Sequence, residues 1–303
     1  MRTRQLTRRS ALVGVAALLS KALASEAAAA SHPLLWRISR GSARVYLFPT
    51  GEAPDGSWFT PSVRSAFASS SELWLELGPP PPEKRREELY EQLGRDSART
   101  FLDALEPSVR TRATQYMEEL AIPEDSVRTL RPWLAYYTFV SAFDKKYRHS
   151  EGFTDVKADQ LPPEFALAGQ ARREGKAIHY ELTMEESLQR LAGFSDRQQS
   201  QYLQWLFDYF DDEKRGRHRD KFAWLRGQPP AQSIERMRTQ LPDLYQVMSV
   251  RRNEWWARTI GTLLSRSGTS FIAIGANHVL GPDGIPRLLT RTATVQASEM
   301  RLL

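Results

Sequence analysis

The sequence predicts an α/β fold in which a central mixed β-sheet is flanked by helices and a large helical insertion separates the N-terminal strands from the C-terminal strands. Short apolar runs typical of strands lie near both ends of the chain, and the long middle has helical periodicity. A strand, a helix and a strand follow one another near the N-terminus, which favours a sheet with a crossover connection. With 303 residues, of which 41% are hydrophobic, the chain is long enough to bury a substantial core.

The N-terminal elements begin with a predicted β-hairpin. Residues 34–38 and 45–48 are short strand-like runs joined by a turn that contains glycine. Residues 61–69 begin with a proline, which favours the first turn of a helix. Residues 72–77 then alternate in the manner of a strand and are ended by a glycine and four prolines.

The middle and C-terminal parts contain both helix and strand patterns. We predict helices between residues 83 and 148, a helix at 163–174, a strand at 176–181, and helices at 196–211 and 242–265. A strand at 270–275, a loop at 276–284, a short helix and a last strand at 293–296 follow. The helix at 196–211 has the clearest apolar stripe, which contains Tyr202, Leu206 and Tyr209. This stripe packs either internally or on a second subunit, so the sequence leaves the oligomeric state open.

The first thirty residues are typical of an export signal. Arg8 and Arg9 precede a mildly apolar run at residues 11–19, and cleavage sites of the Ala-x-Ala type follow after Ala24 and Ala30. Paired arginines in this position predict a twin-arginine signal peptide over residues 1–30, with a single domain over 31–303. The run is too short to cross a bilayer. We therefore expect a periplasmic or secreted protein without stable membrane insertion after cleavage; the alternative is an uncleaved anchor.

Charge and cysteine content exclude several kinds of site. The chain has no cysteine, which excludes disulfide scaffolds, thiolate metal sites and cysteine nucleophiles. Residues 1–30 contain five of the basic residues and one acidic residue, so a net charge of +6 falls to +2 once they are removed. The remaining charged runs mix both signs, as solvated helix faces do. We therefore expect no nucleic-acid partner.

The strongest local motif lies at the end of the last long apolar strand. The familiar catalytic signatures of serine hydrolases, zinc proteases and nucleotide-binding proteins are absent. Gly275 is followed three residues later by His278, and functional side chains of α/β proteins often lie at such strand ends. Histidine can bind a metal or carry a proton, although a lone histidine is more often structural.

Two carboxylates and one arginine extend this candidate site. Glu76 and Glu181 both lie on apolar strands, where a buried carboxylate needs a partner. Arg252 lies on an otherwise apolar stripe of the helix at 242–265, and a guanidinium in such a place usually pairs with a carboxylate. We predict an ion pair of Arg252 with Glu76 or Glu181; the alternative is that Arg252 extends to solvent.

Taken together, these segments resemble the TraB/GumN family, which is related to the Tiki proteases, the erythromycin esterase-like proteins and the ChaN haem-binding proteins. The resemblance is strongest in the sequence Gly-Ala-Asn-His-Val-Leu-Gly-Pro-Asp-Gly at residues 275–284 and weakest in the helical middle. It implies an α/β fold with a central sheet and, by analogy with Tiki, a metal-dependent hydrolase with two G-x-x-H motifs and essential glutamates. The remaining matching segments are residues 35–38, 45–50, 72–76, 180–181, and Arg252-Asn253 with Trp256.

The resemblance carries over to individual residues, with one departure. His278 matches the histidine of the second G-x-x-H motif, Glu76 matches the glutamate after the third strand, and Arg252 with Asn253 matches the family's Arg-Asn pair. The first motif is altered, because residues 49–52 read Pro-Thr-Gly-Glu and Glu52 stands where the family has histidine.

The altered first motif leaves two functions open. A metal held by Glu52 and His278 would be manganese, zinc or magnesium, and a carboxylate in place of an imidazole favours the harder ions. The first function is a hydrolase of the Tiki type with a peptide or ester substrate. The alternative is a non-catalytic periplasmic protein that binds a small ligand or haem. The candidate haem ligands are His32, His149, His179, His218 and His278.

Overall fold

The computed structural model describes residues 32–53, 55–148, 162–216, 222–228, 231–292 and 294–303. The predicted signal peptide at residues 1–30 lies outside the described residues, as do His149 and His218. None of the helices in the described ranges combines the length and the apolarity that a membrane span requires.

A six-stranded mixed sheet forms the centre of the fold, as predicted. Its strands lie in the order β4-β3-β5-β2-β1-β6. The neighbouring strands β4, β3, β5 and β2 are parallel, whereas β1 pairs antiparallel with both β2 and β6. The strands are β1 (Trp36–Arg40), β2 (Ala43–Thr50), β3 (Glu72–Leu77), β4 (Ala177–Leu182), β5 (Gly268–Gly275) and β6 (Met300–Leu302).

Helices fill the insertion and flank the sheet. The α-helices are α1 (Pro61–Ala68), α2 (Glu83–Gly94), α3 (Pro107–Glu119), α4 (Glu124–Val127), α5 (Pro132–Phe143), α6 (Pro163–Arg173), α7 (Met184–Ala192), α8 (Asp196–Lys214), α9 (Ala231–Gln240), α10 (Pro242–Tyr245), α11 (Arg251–Leu263), α12 (Ala276–Val279) and α13 (Ile285–Arg291). Short 3-10 helices lie at Gly56–Trp58, Leu102–Ala104, Ala223–Arg226 and Ala297–Glu299, and π-helical turns at Asp144–Arg148 and Gln246–Val250. This arrangement confirms the predicted fold class.

Local sequence signals explain where several elements begin and turn. Gly41 has a φ of 57° in the β1–β2 turn, a conformation that glycine adopts without steric cost. At the start of α1, Thr60 accepts a hydrogen bond from the backbone N–H of Val63, and Pro61 occupies the first turn. A capping box formed by Thr183 and Glu186 begins α7.

The register of the parallel strands brings four strand ends to one edge of the sheet. Thr50 at the end of β2 is paired with Gly275 at the end of β5. On the other side of β5, Leu77 of β3 is paired with Leu182 of β4. In open α/β sheets, ligands usually bind at this carboxyl edge. They bind most often at the point where the order of the strands in the sheet reverses.

The aromatic stripe of the helix that begins at Asp196 packs internally. Phe207 and Phe210 of α8 are fully buried, and Phe207 stacks on Tyr116 of α3 with ring centroids 4.9 Å apart. Phe210 stacks in the same way on Phe143 of α5 at 3.9 Å. Of the predicted stripe, Tyr202 and Leu206 are also buried, Tyr202 stacks on Tyr136 of α5 at 4.4 Å, and Tyr209 is half-buried. The stripe therefore packs internally, in the core of the helical insertion.

The structure corrects three local predictions. The last strand is Met300–Leu302, where it pairs with β1, and the described residues 294–296 of the predicted strand at 293–296 are not in a strand. Residues 276–279, predicted as loop, form a helical turn that contains His278. The helix predicted at 242–265 has the expected extent, but a π-helical turn at Gln246–Val250 divides it. Such turns are frequent at functional sites, and this one directly precedes α11, the helix that contains Arg252.

Candidate functional site

The candidate site lies at the carboxyl edge of the parallel strands. Glu76 is the penultimate residue of β3, Glu181 is the penultimate residue of β4, and Thr50 ends β2. His278 lies one turn beyond β5, in α12. Helix α11 adds Arg252 and Asn253 from the side of the sheet. Four of the five predicted site residues thus converge, and Glu52 lies just beyond β2.

Arg252 joins the two strand carboxylates. Its Nη2 atom donates to Oε2 of Glu76 at 2.8 Å and to Oε2 of Glu181 at 2.6 Å. Its Nε atom donates to Oε1 of Glu181 at 2.8 Å, so the contact with Glu181 is bidentate. The side chain of Arg252 is only 12% exposed. The predicted ion pair is confirmed, and Arg252 pairs with both candidate carboxylates.

Glu181 anchors this arrangement beneath the site. Its side chain is 2% exposed, and its Oε2 atom also accepts a hydrogen bond from the indole Nε1 of Trp256 at 2.8 Å. Arg190 contributes a longer contact of 3.4 Å to Oε1. A carboxylate so enclosed needs these donors, because an unpaired buried charge is strongly destabilising. We therefore interpret Glu181 as the residue that fixes the position of Arg252.

Glu76 is held as a carboxylate at the strand ends. Burial favours its neutral acid, but the charge that His278 carries when it is protonated at low pH, the charge of Arg252 and the backbone N–H of Gly275 outweigh burial and lower the pKa of Glu76 to about 2. The N–H of Gly275 donates to Oε1 of Glu76. A Cβ atom on residue 275 would lie 2.9 Å from this oxygen, so the contact requires glycine.

The hydrogen bonds of His278 fix its tautomer. Asn253 donates from Nδ2 to the backbone carbonyl of Asp283 at 2.7 Å, which turns its Oδ1 atom towards His278. Nδ1 of His278 lies 2.6 Å from Oδ1 of Asn253 and must therefore be the donor. Burial and the nearby charge of Arg252 lower the pKa of His278, against the opposing effect of Glu76. At neutral pH the imidazole is uncharged, with an unprotonated Nε2.

This unprotonated nitrogen faces a carboxylate oxygen. Nε2 of His278 lies 3.6 Å from Oε2 of Glu76, and at neutral pH both atoms are acceptors. Two facing acceptors are stabilised by a proton donor or a cation between them. Imidazole nitrogen and carboxylate oxygen are also two common ligand types for divalent metals. The pair can therefore receive a proton from water or contribute two ligands to a metal ion.

Glu52, the predicted second metal ligand, has an exposed side chain. Its backbone carbonyl accepts a hydrogen bond from Nε1 of Trp224 at 2.8 Å, and the tight approach of Trp224 to Gly51 fixes the backbone here. Within the described residues, no group of three or more His, Asp or Glu side chains is placed to hold a metal ion. The role of Glu52 stays a prediction.

Glu164 is a further candidate that the sequence did not reveal. It lies in the first turn of α6, and its carboxyl group forms a short hydrogen bond with the hydroxyl of Thr50. Burial, with a smaller contribution from the negative charge of Glu76, raises its pKa against the effect of Thr50. In the sequence, Glu164 follows two prolines and is typical of an ordinary helix start, so only the fold brings it to Thr50.

The site thus contains two carboxyl groups whose pKa values are shifted in opposite directions, and such separation often marks an acid and a base. Comparison with known proteins adds one result. Residues 34–296 match a family model described as the TraB/PrgY/gumN family. No curated protein and no solved structure matches the chain.

Proposed function

The chain belongs to the TraB/PrgY/gumN family, and from this we propose that it is an exported hydrolase that cleaves a peptide or ester bond at the carboxyl edge of its sheet. The observation that carries the proposal is the orientation of His278. Asn253 holds the imidazole with Nδ1 protonated and Nε2 free to accept a proton, next to the ionised Glu76. This is the state that a general base requires.

In the proposed reaction, Nε2 of His278 takes a proton from a water molecule whose oxygen attacks the substrate carbonyl carbon. Glu76 stabilises the imidazolium that forms, because its carboxylate lies 3.6 Å away. The carbon–nitrogen or carbon–oxygen bond of the intermediate then breaks. Glu164, whose raised pKa keeps it protonated over a wider range of pH, donates a proton to the leaving atom. Transfer of the proton from His278 back to Glu164 through water restores the site.

We also propose a divalent metal, manganese, zinc or magnesium, as a cofactor of this site. His278 through Nε2 and Glu76 through Oε2 would hold it, since these two acceptors face each other. In the metal-loaded form His278 would be a ligand and not the base, so this form is an alternative to the reaction described above. When bound, the metal would polarise the substrate carbonyl and lower the pKa of water. Arg252 and Asn253 keep both ligands oriented, as partners of ligating residues do.

A non-catalytic role is the second candidate, and the exposed side chain of Glu52 favours it. If Glu52 contributes nothing to the site, the change from histidine to glutamate in the first motif has removed a metal ligand. The protein would then bind a small molecule or haem without catalysing a reaction. Two of the described histidines that could be haem ligands are already in contact with other groups. His179 stacks on Trp74, and its Nε2 atom lies 3.1 Å from Oε2 of Glu72. His278 is buried within the site.

Activity and metal binding test both candidates together. The protein without residues 1–30 is assayed against peptide and ester panels, with manganese, zinc, magnesium or no metal added, alongside His278→Gln and Glu76→Gln. The control is Glu254→Gln, an exposed carboxylate of α11. We expect hydrolysis to fall roughly 100- to 10,000-fold in the site variants and to be unchanged in the control.

Melting temperatures in the same conditions report metal binding. A metal present at a hundredfold excess over its Kd stabilises the folded protein by about 2.7 kcal/mol. We expect this effect in the wild type and its loss in His278→Gln. A wild type that hydrolyses none of the substrates under any condition contradicts the hydrolase and favours the binding role.

A further inference from the structure

We propose that a cleft next to the site binds ligands that carry a carboxylate or a phosphate. The cleft has a volume of about 470 Å³ and lies between the end of β4, helix α7 with the turn after it, and helix α11. We call it the arginine cleft, because four of its lining residues are Arg190, Arg251, Arg252 and Arg258. If the proposed function holds, the bound anionic group is part of the substrate; the binding itself does not depend on catalysis.

The charge of the arginine cleft is strongly positive. Its only acidic lining residue is Glu181. Both oxygens of Glu181 are already engaged, by the bidentate contact with Arg252 and by Trp256. The carboxylate is 2% exposed and has one further contact, with Arg190 at 3.4 Å, so it does not neutralise Arg251 and Arg258 at the cleft surface. An oxyanion that enters the cleft therefore meets unbalanced positive charge.

Two of the arginines are available for a ligand. Arg251 and Arg258 are exposed, and neither forms an ion pair with any other described residue. They lie seven residues apart on α11, so both side chains project from one face of the helix. Guanidinium groups bind carboxylates and phosphates through paired hydrogen bonds, which makes such a face a suitable anion site.

Aromatic surface lies between and opposite these arginines. Trp255 is on the same face of α11, four residues after Arg251 and three before Arg258, and its side chain is half-buried. Phe194 lines the opposite wall. A ligand with an apolar group next to its anionic group would contact both kinds of surface.

The arginine cleft and the catalytic site share Arg252. This residue lines the cleft, and its Nη2 atom also donates to Glu76, the partner of His278. The anionic end of a ligand can lie among Arg251, Arg252 and Arg258. Only the side chain of Arg252 then separates this end from the carboxylate of Glu76. This position suits recognition of the non-reacting end of a substrate.

Calorimetric titration with stable probes tests the proposal. The probes are phenylphosphonate and 3-phenylpropionate, which share an aromatic ring, and benzyl alcohol as the neutral control. We expect both anions to bind at low salt and benzyl alcohol not to bind. Arg251→Gln and Arg258→Gln should each weaken anion binding at least tenfold. Arg287→Gln on α13, an exposed arginine outside the cleft, should leave it unchanged.

The results separate this inference from the proposed function. His278→Gln should keep anion binding while hydrolysis is lost, and the stronger of the two anions identifies phosphate or carboxylate as the preferred group. Arginine-dependent binding in a protein that hydrolyses nothing supports the cleft and contradicts the hydrolase. Failure of both anions to bind the wild type, or equal binding by wild type and both arginine variants, overturns the cleft even if hydrolysis is observed.

Discussion

At the scale of single residues, Glu76 and Glu164 show how position within one site shifts the pKa values of two carboxyl groups in opposite directions. Glu76 receives the Arg252 guanidinium and the N–H of Gly275, which keep it ionised. Glu164 is partly buried, and this burial together with the charge of Glu76 raises its pKa, against the opposing effect of the Thr50 hydroxyl. The same residue type can therefore serve as a carboxylate and as a proton donor a short distance apart.

Glu76 should contribute to stability in a pH-dependent way. Its folded-state pKa of about 2 lies below the ordinary value of 4.5. The contribution, roughly 3 kcal/mol, is therefore present above about pH 4.5 and is lost as the pH falls to about 2. We expect urea denaturation to show that the difference in unfolding free energy between wild type and Glu76→Gln shrinks over this interval. A constant difference would contradict the assignment, and Glu254→Gln serves as the control.

Glu164 should have the opposite effect. The pKa of Glu164 in the folded protein lies above the ordinary value of 4.5. As the pH rises above about 4.5, Glu164 therefore ionises first in the unfolded chain, and the free energy of unfolding decreases. Glu164→Gln removes the ionisable group, so we expect it to be more stable than the wild type at pH 8 and similar to it at pH 4. If Glu164 is the proton donor, the stabilised variant should also lose hydrolysis.

The sequence allowed part of this site to be predicted. Arg252 stands out because a guanidinium on an apolar helix stripe needs a carboxylate, and Glu76 and Glu181 stand out as charges on apolar strands. Glu164 could not be found in this way, since an acidic residue in the first turn of a helix is favourable without any site. Its proximity to Thr50 depends on how α6 packs on the sheet, which no local pattern encodes.

At the scale of elements, the junction of β5 and α12 positions both His278 and Glu76. Gly275→Ala places a methyl group 2.9 Å from Oε1 of Glu76, and Arg252 limits how far that carboxylate can move. We expect a loss of stability of about 1–3 kcal/mol, typical of overpacking, together with reduced hydrolysis. Thermal and urea unfolding measure the first effect.

The matched control is Gly56→Ala, where a Cβ atom would meet nothing within 4 Å. It should leave both stability and hydrolysis close to those of the wild type. Equal behaviour of the two alanine variants would show that the contact between Gly275 and Glu76 does not constrain the site.

The elements themselves were predictable to different degrees. The third strand was predicted at residues 72–77 and is observed at Glu72–Leu77, because alternation and the following prolines define both its nature and its end. Helix α7 was not predicted, although Thr183 and Glu186 form its capping box. The last strand was placed too early, since β6 has only three residues and depends on pairing with β1.

At the scale of the whole molecule, we propose export through the paired arginines near the N-terminus. Replacement of Arg8 and Arg9 together by lysine should prevent transport of the full chain and leave it in the cytoplasm. Fractionation followed by immunoblotting measures the outcome. The control replaces Arg2 and Arg4 by lysine, which keeps the pair. Equal export of both variants would contradict a twin-arginine route.

The place of β5 in the sheet also determines when the protein can fold. Although β2 and β3 follow one another in the chain, they are separated by β5, whose residues Gly268–Gly275 are synthesised only after β2, β3 and the whole helical insertion. On the ribosome the early strands therefore lack their central neighbour, and the long-range pairing must wait until translation has passed residue 275. The hydrogen bond between Gly275 and Glu76 can form only then. A polypeptide interrupted before residue 268 would contain Glu76 and Glu181 but neither the central strand nor His278.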